Sequence, residues 1–340
     1  MKSMLSLSDI QRRQLFEGAA QRVGIQEIIL EKDFWVCWTL RELFALSGIG
    51  EHLIFKGGTS LSKAWGAIAR FSEDIDVSLS REWLGFGGER DPEKAGSNKK
   101  TETALENLTN ACIAKIASHI LPALKASAER HLGNDGWTIS VDAGDPQTLR
   151  FKYPSSFGQS AAQLAYVPRE VKIEFGARSD DWPAGMRPIR PYVAEAFPDR
   201  ITDAGVVVRT LSIARTFWEK ATILHAEAHR ASAGKSPRAR YSRHYADLAV
   251  LADHECAAEA LADIALLNRV VTHKKIFFRS GSAKYEEARP GSFRLVPTQN
   301  YLNLLEKDYK DMREMFFGEP LSWDRIISRL RKLESQINNA

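Results

Sequence analysis

Apolar residues recur three and four positions apart between Ser8 and Phe44, with Ile28, Ile29, Phe34, Trp35, Trp38 and Leu40 in the second part of that stretch. The spacing predicts two helices, the second with a core-facing side. The period then changes. His52 to Phe55 is a short apolar run, Lys56-Gly57-Gly58 interrupts it, and Thr59 to Ile68 is again compatible with a helix, so the predicted order is strand, glycine turn, helix. Asp74 to Ser80 alternates as a strand does, sending Ile75 and Val77 to the core and Asp74 and Asp76 to the opposite face. Residues 84–100 combine glycine and charge without an apolar period and predict a loop.

Thr101 to His131 predicts one long helix or two shorter ones, and the alternating runs 137–141, 148–153 and 170–175 predict strands. Ala177 to Phe197, with Pro183, Pro188 and Pro191, reads as a turn-rich connection. From Val206 a short strand leads to helices at about 212–231, 243–253, 257–274, 301–316 and 323–338. The expectation is an α+β protein with a mixed front half, residues 1–205, and a helical back half, residues 206–340, without internal repeats.

The chain is 44% hydrophobic and 26% charged, a balance that excludes a mainly disordered protein. It has no long uncharged apolar run and no basic-then-apolar start, so a cytoplasmic, non-membrane protein is expected. Cys37, Cys112 and Cys256 are far apart and odd in number, which points to reduced core thiols rather than a zinc site or disulfides. A net charge of +4 permits a nucleic-acid partner without requiring one.

The candidate chemistry lies in GGTSLSKAWGAIARFSEDID, residues 57–76. A glycine pair before a helix lets backbone approach phosphates, and Thr59, Ser60, Ser62 and Lys63 offer further donors. The acidic cluster that follows would repel the same phosphates unless a cation stood between. Asp74 and Asp76, two residues apart on one strand face and ~6.5 Å from Cα to Cα, suit a hard divalent ion such as Mg²⁺. A third carboxylate on a neighbouring strand would complete a two-metal clamp: Glu174 in VKIEF is the candidate, with Asp180 and Asp181 as alternatives. An isolated Asp-x-Asp is commonly a solvated strand edge, and a lone Gly-Gly only a turn. Their combination in this order points to phosphoryl or nucleotidyl transfer, and the Gly-Lys-Ser/Thr order of a Walker loop is absent.

FKGGTSLSKAW and RFSEDIDVSLS resemble the two leading motifs of the AbiEii/AbiGii-type nucleotidyltransferase toxins, within the polymerase β-like nucleotidyltransferase superfamily. EKDFWV, RTFWEKATILH and RYSRHYADL extend the resemblance from about residue 28 to about residue 255. The resemblance implies a nucleotidyltransferase sheet with a helical C-terminal domain, and a toxin of a toxin–antitoxin or abortive phage-defence system. The implied partner is a cognate antitoxin of the winged-helix, AbiEi-like kind. The implied reaction is Mg²⁺-dependent transfer of NMP from an NTP to RNA such as the tRNA 3′ end, with Mn²⁺ as a substitute ion. Gly57, Gly58 and Thr59 match the glycine motif, and Asp74 and Asp76 the metal pair. Lys220 matches a nucleotide-contacting lysine and Asp247 a late acidic residue. Glu174 is not fixed by motif.

By spacing alone Lys220 is an exposed helix lysine, and Asp247 an i, i+4 partner of Arg243. Arg238, Arg240 and Arg243, interleaved with Tyr241 and Tyr245, are candidates for holding single-stranded RNA, against the reading of a solvated basic loop. The segment from His273 to Pro297 offers either a further RNA-facing surface or core aromatics flanked by charge. Glu73 is expected to pair with Arg70 or face solvent. Lys63 either touches phosphate or supports its helix. Two competing functions share these residues: NMP transfer to a protein hydroxyl, and a non-catalytic nucleotide- or RNA-binding module.

Overall fold

A computed structural model describes residues 1–158 and 168–340. Helices α1 (Lys2–Leu5), α2 (Asp9–Val23) and α3 (Glu27–Phe44) precede strand β1 (Leu53–Lys56), helix α4 (Gly57–Lys63) and strand β2 (Asp74–Leu79). Helices α5 (Asn98–Lys115) and α6 (Leu121–Leu132) lead to β3 (Thr138–Val141), β4 (Thr148–Lys152), β5 (Glu170–Gly176), β6 (Ala184–Ile189), α7 (Tyr192–Ala196) and β7 (Val206–Leu211). The chain continues through α8 (Ile213–Ser232), α9 (Ser242–Leu251), α10 (Cys256–Ala262), α11 (Ile264–Phe277), α12 (Gln299–Asp311) and α13 (Trp323–Asn338).

The strands form one mixed sheet in the order β3-β4-β5-β2-β1-β7-β6. At its centre β2 runs antiparallel to β1 and parallel to β5, in a register that sets Lys56 opposite Asp76 and Asp76 opposite Glu174. Ile75, Val77, Ile173 and Phe55 enter a core shared with α2, α3, α5 and α6. Helix α3 is buried almost all round: its apolar residues enter the core, and its buried charges are paired, Lys32 with Glu73, Asp33 with Lys63, and Glu31 with the Ser155 and Ser156 hydroxyls. Trp35 and Trp38 pack edge-on, and both meet Phe151 of β4. A second core joins α8 to α13, and Leu61, Ala67 and Ile68 reach into it from the front half.

Three boundaries differ from the sequence expectation. Residues 184–189 form β6, not an irregular connection: Gly185 and Pro188 hide the strand pattern, and Pro188 is tolerated because β6 is an edge strand. The helix expected at 257–274 is two, because the Asp263 side chain accepts a hydrogen bond from Leu266 N and caps α11. The glycine pair is not a turn ahead of a helix but the first turn of α4 itself, which ends at Lys63. Among the described residues no helix is long and apolar enough to cross a membrane.

Candidate active site

Lys56, Asp76 and Glu174 form one row across the three central strands, and Asp74 lies two residues before Asp76 on the same face. These side chains are half-buried along one wall of a cleft of about 300 Å³. Gly57 gives the row its shape. A Cβ on Gly57 would stand 2.0 Å from Asp76 Oδ2, and its φ of 80° is one that other residues resist. At Gly58 a Cβ would come within 2.7 Å of the Arg70 guanidinium.

The opposite wall comes from the helices. Thr216, Glu219 and Lys220 of α8, Arg243 and His244 of α9, and Lys274 and Phe278 at the end of α11 complete the lining. Lys220 is buried and donates to Asp247 at 2.8 Å, while Arg70 grips the two oxygens of the same carboxylate at 2.7 and 2.8 Å. Burial alone would raise Asp247, but Arg70 and Lys220 together hold it well below the usual carboxylate range. Burial lowers Lys220, and its share of Asp247 offsets this only in part. Arg70 is itself fixed by backbone: Phe71 N donates to Met315 O and Phe317 N to Ala69 O.

Electrostatics set the acidic wall apart. Burial pushes the Asp74 carboxyl up to about 6, reinforced by Glu73 and Glu174. Burial raises Asp76 too, against the neighbouring Lys56 amine. Both groups therefore lack enough positive charge to be comfortable as carboxylates. Glu174 is ion-paired with Lys172 on its own strand. Among the described residues no three His, Cys, Asp or Glu side chains are gathered closely enough to ligate one ion together.

Several expected roles change. The Thr59 hydroxyl is buried and donates to the Asp74 carbonyl, and the Ser60 hydroxyl donates to Gly57 O at 2.9 Å; both brace the unit internally instead of facing the cleft. Ser62 likewise donates to Thr59 O. Lys63 points away to Asp33 at 2.9 Å and lies 3.4 Å from the centre of the Tyr192 ring, which corrects the reading of it as a phosphate contact. Glu73 pairs with Lys32 at 2.6 Å, not with Arg70. Asp247 takes Arg70 and Lys220 rather than Arg243. Asp180 is occupied by Arg215 and Arg269, and neither it nor Asp181 lines the cleft. Of the three arginines only Arg243 reaches the cleft; the Arg240 amide donates to Asp308 and its guanidinium lies 3.8 Å from Glu73, and Arg238 lies in an adjoining cavity.

Sequence reasoning did not assign Lys56, Arg70 or His273 to the site. Lys56 had a signal, since it ends a strand just before the glycine pair. His273 is buried with both ring nitrogens lacking a hydrogen-bond partner, and the helical period around it reads simply as core.

A mixed sheet with a strand–glycine–helix unit set beside a paired-aspartate strand, closed by a helical body, is a nucleotidyltransferase architecture. The chain belongs to the AbiEii family, nucleotidyl transferase toxins of type IV toxin–antitoxin systems, whose model matches residues 38–329. Its fold is similar to that of MenT4, a nucleotidyltransferase toxin from Mycobacterium tuberculosis, with a TM-score of 0.51 at 15% identity over 98% of this chain and 91% of that one. No curated protein sequence matches it.

Proposed function

We propose that the cleft transfers NMP from an NTP to the 3′ end of an RNA, with tRNA as the acceptor class. The observation that carries this is one acidic and one basic wall facing each other across a nucleotide-sized space. Lys220 and Arg243 draw the triphosphate toward the helical wall, and Lys56 meets it from the sheet. The acceptor hydroxyl oxygen bonds to the α-phosphorus, the bond to the β-phosphate bridging oxygen breaks, and pyrophosphate leaves. Glu174, beside Asp76 and partly exposed, takes the hydroxyl proton.

Asp74 and Asp76 fit a divalent cation: their oxygens are hard donors, and their raised protonation reflects a charge deficit that a cation relieves. They would hold Mg²⁺, or Mn²⁺ in its place, with Glu174 as a further ligand once released from Lys172. Such an ion would neutralise charge on the phosphates and lower the pKa of a bound hydroxyl. Lys220 and Asp247 act as a unit, Asp247 orienting the lysine. Substrates of this kind put the reaction in the cytoplasm, and a winged-helix regulator of the AbiEi kind is the proposed antitoxin.

Incubation of the protein with each radiolabelled NTP, Mg²⁺ and purified tRNA should label RNA and release pyrophosphate. Label found in protein and absent from RNA would overturn the acceptor assignment. Tight NTP binding with no pyrophosphate would overturn catalysis.

A further inference from the structure

A second cavity, of about 640 Å³, adjoins the cleft and shares Ile223, Lys274 and Phe278 with it. Four distant segments build it, Glu102 and Leu105 of α5 being one. Arg230 of α8 and Arg238 and Tyr241 ahead of α9 form one side, Arg279 and Tyr285 after α11 another, and Arg178 after β5 a third. With Lys274 the lining carries five cations, against the two carboxylates of Glu102 and Glu227. Both are engaged: Glu227 accepts from the Tyr301 hydroxyl and pairs with Arg230, and Glu102 lies 3.8 Å from the Arg279 guanidinium, which leaves Arg178, Arg238 and Lys274 in excess.

The aromatic groups are presented rather than hidden. Phe278 is 40% exposed and sits at the junction of the two cavities, with the Lys274 ammonium 4.6 Å from the centre of its ring. The Arg238 guanidinium donates to the Tyr241 hydroxyl at 2.7 Å and lies 5.2 Å from the ring centre, which fixes that ring at the rim. Cations beside solvent-reaching aromatic rings are the chemistry that holds phosphates and stacks unpaired bases. The cavity volume is that of a small-ligand pocket, so it admits nucleotides singly and excludes a duplex.

We propose that this cavity is the acceptor's path. It takes the single-stranded 3′ end of an RNA, stacks a base on Phe278 and delivers the terminal hydroxyl past Lys274 into the nucleotide cleft. The proposal rests on the reading of the cleft as a site of transfer to RNA.

The test uses the full-length protein, tRNA as acceptor and a 5′-fluorescent single-stranded oligoribonucleotide as binding probe. Phe278→Ala should raise the KM for RNA about tenfold, the loss of one stacked base, and leave the KM for NTP within about twofold. Phe278→Tyr should restore the RNA value. Arg238→Ala should weaken oligonucleotide binding and flatten its log–log salt dependence by about 0.7, one phosphate contact on a single strand. A rise in the KM for NTP instead would make the cavity the nucleotide-base site and overturn the proposal; so would RNA kinetics and binding unchanged in both variants. Wild-type protein that labels no RNA would overturn the transfer reading, while the binding probe still decides the path.

Discussion

The two walls of the cleft are built by different rules. The sheet wall is local: Asp74 and Asp76 lie two residues apart, and Gly57 and Lys56 meet them through one antiparallel pair. Its charges are held in discomfort, with Asp74 and Asp76 both raised by burial. The helical wall is long-range: Arg70, Lys220 and Asp247 come from three parts of the chain and satisfy one another. Stability and activity should therefore separate on the first wall and coincide on the second.

The sharpest way to break this contrast is at Asp76. Asp76→Asn should lower transfer to RNA at least a thousandfold, and because it removes a charge whose burial outweighs the pull of Lys56 it should leave the melting temperature unchanged or higher. Calorimetry beside single-turnover kinetics reads both. A variant that melts early would mean that Asp76 holds the fold. At Asp247 the outcome should be the opposite. Asp247→Ala leaves Arg70 and Lys220 buried without their carboxylate and should cost about 3–5 kcal/mol of stability as well as activity. Urea unfolding measures the first, and an unaltered midpoint would sink the account of the triad.

The same contrast explains what could be read from the sequence. Period-two alternation fixes which face Asp74, Asp76 and Glu174 occupy, and strand order then brings Glu174 beside Asp76. No such rule links Arg70 to Asp247, 177 residues apart. Lys220 and Asp247 stood out only through family resemblance, because helical spacing describes a residue's face and not the partner it meets across a core. Gly185 and Pro188 in β6 show the complementary failure, since an edge strand tolerates residues that normally signal a loop.

The helical body carries an acid sensitivity of its own. His225 is fully buried; its Nδ1 accepts from Arg294 N at 3.1 Å and its Nε2 lies 3.0 Å from Lys284 O. Burial pushes its pKa down from 6.5 to about 4, so the folded state binds fewer protons than the unfolded state between those values. Stability from this group is complete above about pH 6.5 and is lost as pH falls through about 4, up to about 3 kcal/mol in all. Urea unfolding between pH 7.5 and 4 should show a smaller loss for His225→Gln than for the wild type. Parallel pH curves would refute the assignment.

The smallest effect should come from a lysine that the sequence left open between two roles. Lys63 is the last residue of the helix that begins at Gly57, and it is buried against Asp33 and the Tyr192 ring, on the side away from the cleft. Replacing only Lys63 would strand a buried carboxylate, so the informative variant changes both partners. Asp33→Asn with Lys63→Met keeps an oxygen to accept the Tyr192 amide, bonded at 2.7 Å to Asp33, and fills the space of the lysine chain with apolar atoms. A buried pair exchanged for groups of similar volume is close to neutral, so stability should stay within about 1 kcal/mol and the KM for NTP should not move. Lys220→Met, on the facing wall, should raise that KM about tenfold by removing one charge-assisted contact to phosphate. Equal effects from the two lysines would show that the α4 lysine reaches the nucleotide after all.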